Sequence, residues 1–185
     1  MRRLVIVALS ALMSVNAFAQ FFNESEPNNT RAQANAVLSA LSPPWTRVGI
    51  LNLAPNDSDF FKIHLRAGDF LTAATFPMIN GVTPNTVMAL FDATGTTALV
   101  YNDDFGVSRG SALIYTATTT GDYFLAITGW HGAAGQDQLS YYEGVTHSES
   151  GSYILTVSVV PEPASMLALG VGLAGLAGLR RRNRK

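Results

Sequence analysis

The sequence predicts an all-β body, an antiparallel β-sandwich of jelly-roll-like form with about eight strands, followed by one C-terminal transmembrane helix. Three observations carry that expectation. Short runs of alternating apolar and polar residues recur with turn residues between them, the signature of half-buried strands. Sustained 3.6-residue periodicity is missing between residues 20 and 160, apart from a short turn around 30–38. With no helices to carry crossovers, the strands are expected to pair as antiparallel neighbours in a sandwich or jelly roll. Finally, residues 164–179 form an uncharged run of sixteen residues ahead of an Arg-rich terminus.

The elements follow in chain order. Residues 1–19 have the three parts of a secretory signal peptide. Arg2 and Arg3 start it, an apolar run extends from Leu4 to Val15, and Ala17-Phe18-Ala19 supplies the small-residue cleavage site. The apolar run falls short of the ~20 residues a membrane span needs. Signal peptidase is therefore an expected partner, and the body opens at Gln20. Within it, strands are expected at 48–53, 59–65, 69–76, 86–91, 98–102, 112–118, 123–128 and 153–160. In the second of these, Phe61, Ile63 and Leu65 share one face and Lys62 and His64 the other. In the last, Tyr153, Leu155, Val157 and Val159 alternate with Ile154, Thr156, Ser158 and Val160. Turn residues separate the runs: Ala67-Gly68-Asp69, Ala93-Thr94-Gly95, the stretch 103–110 and Thr120-Gly121-Asp122. The domain expected on these grounds spans 20–159, a comfortable size for one core.

The last segment, 160–185, reads as an address. Pro161-Glu162-Pro163 leads into the uncharged run, which ends at Arg180-Arg181-Arg182-Asn183-Arg184-Lys185. As a helix the run would extend about 24 Å, short for a ~30 Å hydrocarbon core, a deficit that snorkelling arginines or local thinning would cover. The basic cluster orients the tail inward and the body outward. These three parts, in this order, resemble the PEP-CTERM sorting signal of Gram-negative bacteria. The resemblance implies recognition by a membrane-embedded exosortase that cuts near the Pro-Glu-Pro motif, and an association with exopolysaccharide or matrix. A plain single-span tail anchor is the competing reading.

A second resemblance covers about 23–159. Glu24-Ser25-Glu26-Pro27-Asn28-Asn29-Thr30 and Asp57-Ser58-Asp59-Phe60-Phe61-Lys62-Ile63 are similar to blocks of the bacterial pre-peptidase C-terminal domain. Leu90-Phe91-Asp92, Tyr101-Asn102-Asp103-Asp104, Gly121-Asp122-Tyr123-Phe124-Leu125 and Gly151-Ser152-Tyr153 continue the pattern. That family implies a jelly-roll-like sandwich serving as an accessory or binding module attached to exported enzymes. Here the domain is expected to stand directly behind the signal peptide, without an enzyme domain ahead of it.

Charge and composition exclude several functions. The chain carries twelve basic and thirteen acidic residues, but residues 20–160 hold only five of the former against twelve of the latter, a formal charge of −7. Such a body is unsuited to nucleic acid, whose phosphates require a basic face. Without cysteine there is no disulfide framework, thiol nucleophile or Cys-ligated zinc. Gly106-Val107-Ser108-Arg109-Gly110 matches a nucleophile elbow in letters only, because it lies in a loop between strands rather than between a strand and a helix. Gly170-Val171-Gly172-Leu173-Ala174-Gly175 lies inside the apolar tail, with no preceding strand to make it a dinucleotide fingerprint. His64, His131 and His147 have no metalloprotease spacing, and His64 is expected on a solvated face. The sequence holds no recognisable catalytic set, so the expectation is a protein that is not an enzyme.

Calcium is the best chemical hypothesis. A hard cation takes several oxygen ligands, mainly carboxylates and carbonyls. Glu24, Glu26, Asn28 and Asn29 offer such oxygens within six residues, and Asp57 and Asp59 add two more where a strand begins. The resemblance adds that collagen-binding modules related to this family bind Ca2+ through the matching acidic segment. The alternative is a solvated leader followed by an ordinary turn. Asp103-Asp104 reads as a turn before it reads as a second site.

The connection 129–150 is longer than most. Trp130, Tyr141 and Tyr142 are its candidate ligand-binding residues, because aromatic rings on a sandwich rim can stack on sugar rings. In the alternative reading, 139–142 is an extra edge strand and Trp130 caps the core. The whole predicts an exported, exosortase-sorted, non-catalytic β-sandwich of the cell envelope or extracellular matrix. It is expected to bind calcium, to be membrane-held through 164–179 before processing, and to contribute structure or matrix contact. The alternative is a carbohydrate- or protein-binding adhesin module using the aromatic residues of the long loop.

Overall fold

The computed structural model describes residues 19–78, 83–106 and 108–161. Ten strands occupy them: β1 (Gln20–Phe22), β2 (Asn35–Leu38), β3 (Trp45–Leu53), β4 (Ser58–Leu65), β5 (Phe70–Pro77), β6 (Thr86–Asp92), β7 (Val100–Asn102), β8 (Ala112–Thr116), β9 (Gly121–Gly129) and β10 (Gly151–Val160). They form two five-stranded sheets. Sheet I has the order β1-β3-β10-β5-β8, and sheet II the order β2-β4-β9-β6-β7. The all-β sandwich class is thus as the alternation predicts, and each of the eight expected strands is present within a few residues of its predicted bounds.

Two differences have physical reasons. β1 and β2 are three and four residues long, too short to show a period. They also pair in parallel, β1 with β3 and β2 with β4, where antiparallel pairing was expected throughout. The first four strands alternate between the sheets, so β1 meets β3 and β2 meets β4 as non-consecutive neighbours rather than as hairpins. The remaining sheet pairs are antiparallel. The turn expected around 30–38 resolves into a 3-10 turn at Arg31–Gln33 followed by β2.

The main core lies between the sheets. Phe61, Ile63 and Leu65 from β4 meet Leu155, Val157 and Val159 from β10, with Leu51, Leu53, Met88, Leu90, Leu125 and Ile127 filling the layer. Phe22 lies edge-on to Phe61, at 5.6 Å between ring centroids. It fits because Gly49 is opposite: a Cβ there would stand 2.8 Å from the Phe22 ring. A second cluster covers the outer face of sheet II, where Phe60, Val87, Ala89, Phe91 and Ala126 pack against Tyr141 and Tyr142. β6 is therefore buried on both faces, and Thr86 to Phe91 is a continuous buried run. The signal peptide and the helix expected over 164–179 lie outside the described residues.

Candidate functional site

After β1 the chain crosses the open end of the sandwich from sheet I to sheet II. Its backbone is fastened on both sides. Glu24 Oε1 accepts the Asn52 N–H of β3 at 3.0 Å, and the Asn28 carbonyl accepts the Phe60 N–H of β4 at 3.0 Å. Between them the Glu26–Pro27 peptide bond is cis. The crossing carries Glu24 and Glu26 over the mouth between the two sheets.

Asp59 closes that mouth from inside. It has the same parity on β4 as Phe61, Ile63 and Leu65, so its side chain points between the sheets and is fully buried. There it accepts a hydrogen bond from the Tyr153 hydroxyl of β10, a contact that joins the two sheets. Ligand oxygens of Glu24, Glu26 and Asp59 lie within 4.8 Å of one another. Asp59 Oδ1 and Glu24 Oε2 are buried with no hydrogen-bond partner. Burial pushes the Asp59 carboxyl well above its ordinary range, with Glu24 raising it further. Burial likewise raises Glu24, helped by the charge of Glu26, and raises Glu26, helped by Asp57. The Tyr153 hydroxyl is held in its protonated form by burial and by the neighbouring Asp59 charge.

Of the six residues expected to hold a metal, three acids form this cluster, Asn28 and Asn29 follow on the same crossing, and Asp57 is engaged elsewhere. Asp57 spends its oxygens on its own turn: Oδ2 accepts the Ala54 N–H at 3.1 Å and Oδ1 the Ser58 N–H at 3.0 Å. It contributes charge to the cluster rather than an oxygen. The Asn28 backbone N–H donates to Glu26 Oε2 at 3.0 Å. One end of its side-chain amide faces only oxygens, those of the Glu26 carboxylate and the Ser58 carbonyl, an arrangement satisfied either by an amide nitrogen donating to them or by an amide oxygen sharing a cation with them. The Asn29 Oδ1 is buried without a hydrogen-bond partner on the same crossing.

The arrangement suits a hard cation. Oxygens sharing a calcium ion at about 2.3–2.6 Å stand at most ~5 Å apart, which the spacing satisfies. The orphaned oxygens of Glu24 and Asp59 have unused lone pairs, and their repulsion is what a divalent ion would relieve.

The long loop has the opposite character. It crosses the outer face of sheet II with one 3-10 turn at Leu139–Tyr141. The structure corrects the expectation for its two tyrosines. Tyr142 is fully buried, edge-on to Phe91 at 5.5 Å, and its hydroxyl donates to the Gln136 carbonyl at 2.9 Å. Tyr141 is also buried. Its hydroxyl donates to the Gly132 carbonyl at 2.8 Å and accepts the His131 N–H at 3.1 Å, while the His131 ring stacks on it at 3.7 Å. A ring in the core cannot stack on a ligand. Nor is 139–142 an edge strand, since it forms a 3-10 turn. Trp130 remains 42% exposed, on a cleft it shares with Asn56, His131, Thr146, His147 and Glu149.

The other candidate polar residues make local contacts, although Oδ1 of Asp103 and Nδ1 of His147 are buried without a hydrogen-bond partner. His64 is exposed and contacts Asp122, as does Lys62. His131 and His147 come within 6.1 Å, but Nδ1 of His131 meets the Gly129 carbonyl and Nε2 of His147 the Asp57 carbonyl. Gly129 permits the loop's return, because a Cβ there would fall 2.5 Å from the His147 ring. Asp103 is tied to the Gln136 amide at 2.8 Å, and the Ser108 hydroxyl donates to the Phe105 carbonyl at 3.0 Å, between β7 and β8. The residue the sequence reading missed is Tyr153, the partner of Asp59. Its phase with Leu155, Val157 and Val159 was the available signal.

Residues 159–182 match the PEP-CTERM protein-sorting motif. Pro161 follows β10 directly, and Glu162 and Pro163 lie outside the described residues. The motif marks the chain for export, transient anchoring in the membrane and exosortase processing to the cell surface. No curated protein matches the chain in sequence. Among solved structures it is similar to the periplasmic inhibitor of g-type lysozyme, PliG, from Aeromonas hydrophila, at 11% identity and TM-score 0.44, over 77% of this chain and 99% of that one. It is also similar to the pre-peptidase C-terminal domain of collagenase from Bacillus anthracis, at 12% identity and TM-score 0.39, over 77% and 95%. The PliG of Salmonella Typhimurium follows at 10% identity and TM-score 0.37, over 77% and 99%.

Proposed function

We propose that this exported protein is a non-catalytic, calcium-stiffened β-sandwich that contributes structure or matrix contact outside the cell. One observation carries the calcium reading. Asp59 is fully buried at the mouth of the sandwich with an unpartnered oxygen, and Glu24 and Glu26 reach the same point. A buried carboxylate with an unused oxygen is costly unless a cation or a proton joins it. Glu24, Glu26 and Asp59 would hold the ion, with the Asn28 backbone N–H bonded to Glu26. The ion would tie the crossing to β4 and, through the Asp59–Tyr153 contact, both sheets to each other. For the non-catalytic reading, the support is that the Ser108 hydroxyl, Asp103 Oδ2, His131 Nδ1 and His147 Nε2 are each engaged in local hydrogen bonds.

The test is thermal melting of the purified protein in EDTA and in calcium. An ion that binds only the folded state at a hundredfold excess over Kd adds about 2.7 kcal/mol, roughly 8 °C for a domain of this size. Asp59→Asn keeps an acceptor for Tyr153 and removes the charge. It is expected to abolish the calcium response while raising the melting point in EDTA at neutral pH. An unchanged melting point at millimolar calcium would end the metal reading, leaving a proton shared among the acids.

A second reading rests on Trp130 alone. Its exposed face, beside Asn56, Thr146 and Glu149, offers a stacking surface for a sugar ring with polar groups to orient it. Glycan binding lost in Trp130→Ala and retained in Asp59→Asn would support it.

A further inference from the structure

We infer that the outer face of sheet I is a self-association surface on which two copies pack face to face. The face is broad and bears no charge. Register places Ile50, Ile154 and Phe76 in one row across β3, β10 and β5, and Val160 beside Phe70 in another. Phe21 is 76% exposed, Ile114 64% and Ile50 55%. The other outward positions of these strands are Thr, Ser, Ala, Val and Asn, without a single Asp, Glu, Lys, Arg or His.

Charge decides the occupant. The body carries a formal −7, so two copies repel over most of their surface. The outer face of sheet I is where they can meet without burying a charge. A lipid surface fits less well: the face has no Lys or Arg for anionic headgroups and no Trp or Tyr for the interface, and its hydroxyl rows would be stranded in hydrocarbon. Hydroxyl rows interleaved with Ile, Val and Phe suit the dry contact of two sheets.

Area and direction are consistent with this. The five strands are 3, 9, 10, 8 and 5 residues long and, at about 4.8 Å apart and ~3.3 Å per residue, make a face of roughly 550 Å². Two such faces bury roughly 1,100 Å², just above the ~1,000 Å² that a specific interface should clear. β10, the central strand, runs directly into the sorting segment at Pro161. Chains held in one membrane must present that end the same way. A two-fold axis parallel to β10 does this, with the two β10 strands side by side and nearly parallel.

The absence of native cysteine makes the test clean. Full-length Thr156→Cys, on the outer face of β10, and His64→Cys, exposed on sheet II, are treated with a short bismaleimide in membranes of the producing cell. Covalent dimer is expected from Thr156→Cys and not from His64→Cys. Adding Ile50→Lys or, separately, Ile154→Lys to Thr156→Cys should lower the dimer yield about tenfold or more, because like charges then face each other. Both lysines lie on the solvent side, and unchanged melting points would confirm that the fold is intact. Equal crosslinking at Thr156→Cys and His64→Cys overturns the inference, as does crosslinking that survives both lysines. A monomer whose Thr156→Cys thiol is shielded only by lipid vesicles overturns it in favour of a membrane contact.

Discussion

The acidic crossing at 24–29 and the long loop at 130–150 both carry residues that sequence reasoning marks as functional, and the fold treats them in opposite ways. The loop's tyrosines are buried with their hydroxyls bonded, to Gln136 in one case and to Gly132 in the other. The crossing's acids are gathered with oxygens left over, on Glu24 and Asp59. A satisfied aromatic residue in a second core is explained by stability alone. A buried carboxylate with an orphaned oxygen is not, because desolvation without compensation opposes folding. The lesson is that partnering, more than residue type or burial, separates the loop's tyrosines from the crossing's acids, while His147 Nδ1 in the same loop shares the acids' lack of a partner.

The sharpest way to break this comparison is Tyr142→Ala. It removes the largest side chain of the second cluster and should cost about 3–5 kcal/mol by denaturant unfolding. The calcium response should survive in whatever fraction remains folded. A lost calcium response with unchanged stability would mean that the loop, not the crossing, holds the ion.

A smaller effect is expected from pH. Glu24, Glu26 and Asp59 hold protons more tightly in the folded chain than in the unfolded one. Their protonated forms therefore favour the folded state, fully so below the ordinary carboxylate value. That contribution disappears as pH rises through the raised values, so metal-free stability should fall with rising pH. Melting in EDTA at successive pH values from the ordinary carboxylate range upward should show the fall, and Asp59→Asn should flatten it. The calcium-induced rise should run the other way, shrinking toward acid as protons compete for the same oxygens. A calcium response that is constant across this range would dissociate the ion from these three acids.

The smallest effect belongs to Trp130→Ala. The ring is exposed beside a cleft, so stability should move by no more than about 0.5 kcal/mol in calorimetry. A larger loss would place Trp130 with the tyrosines as a packing residue.

Much of the fold was legible because strand alternation is local. The inward sets Phe61-Ile63-Leu65 and Tyr153-Leu155-Val157-Val159 follow directly from parity. The sorting segment was equally plain, since Pro161-Glu162-Pro163, the apolar run and the arginines are contiguous. The strands β1 and β2 were not, because three or four residues at a sheet edge have no period and take their pairing from the neighbour. The site was half legible. Acids at 24, 26 and 59 announced oxygen chemistry, and the parity of Asp59 with Phe61 already directed it inward.

The sequence by itself determined the strand class, the inward faces, the acidic body and the address at the C-terminus, since each is a property of neighbouring residues. Only the tertiary structure decided which oxygens converge. Asp57 and Asp59 are two residues apart, yet one closes a turn and the other reaches across to Tyr153 of β10, far along the chain. The fate of the loop was decided in the same way. Tyr141 and Tyr142 are indistinguishable from ligand-stacking aromatics until sheet II presents Phe60 and Phe91 for them to cover. Burial and partnering depend on residues distant in sequence, and hydrophobic burial is non-directional, so neither can be read from a local pattern.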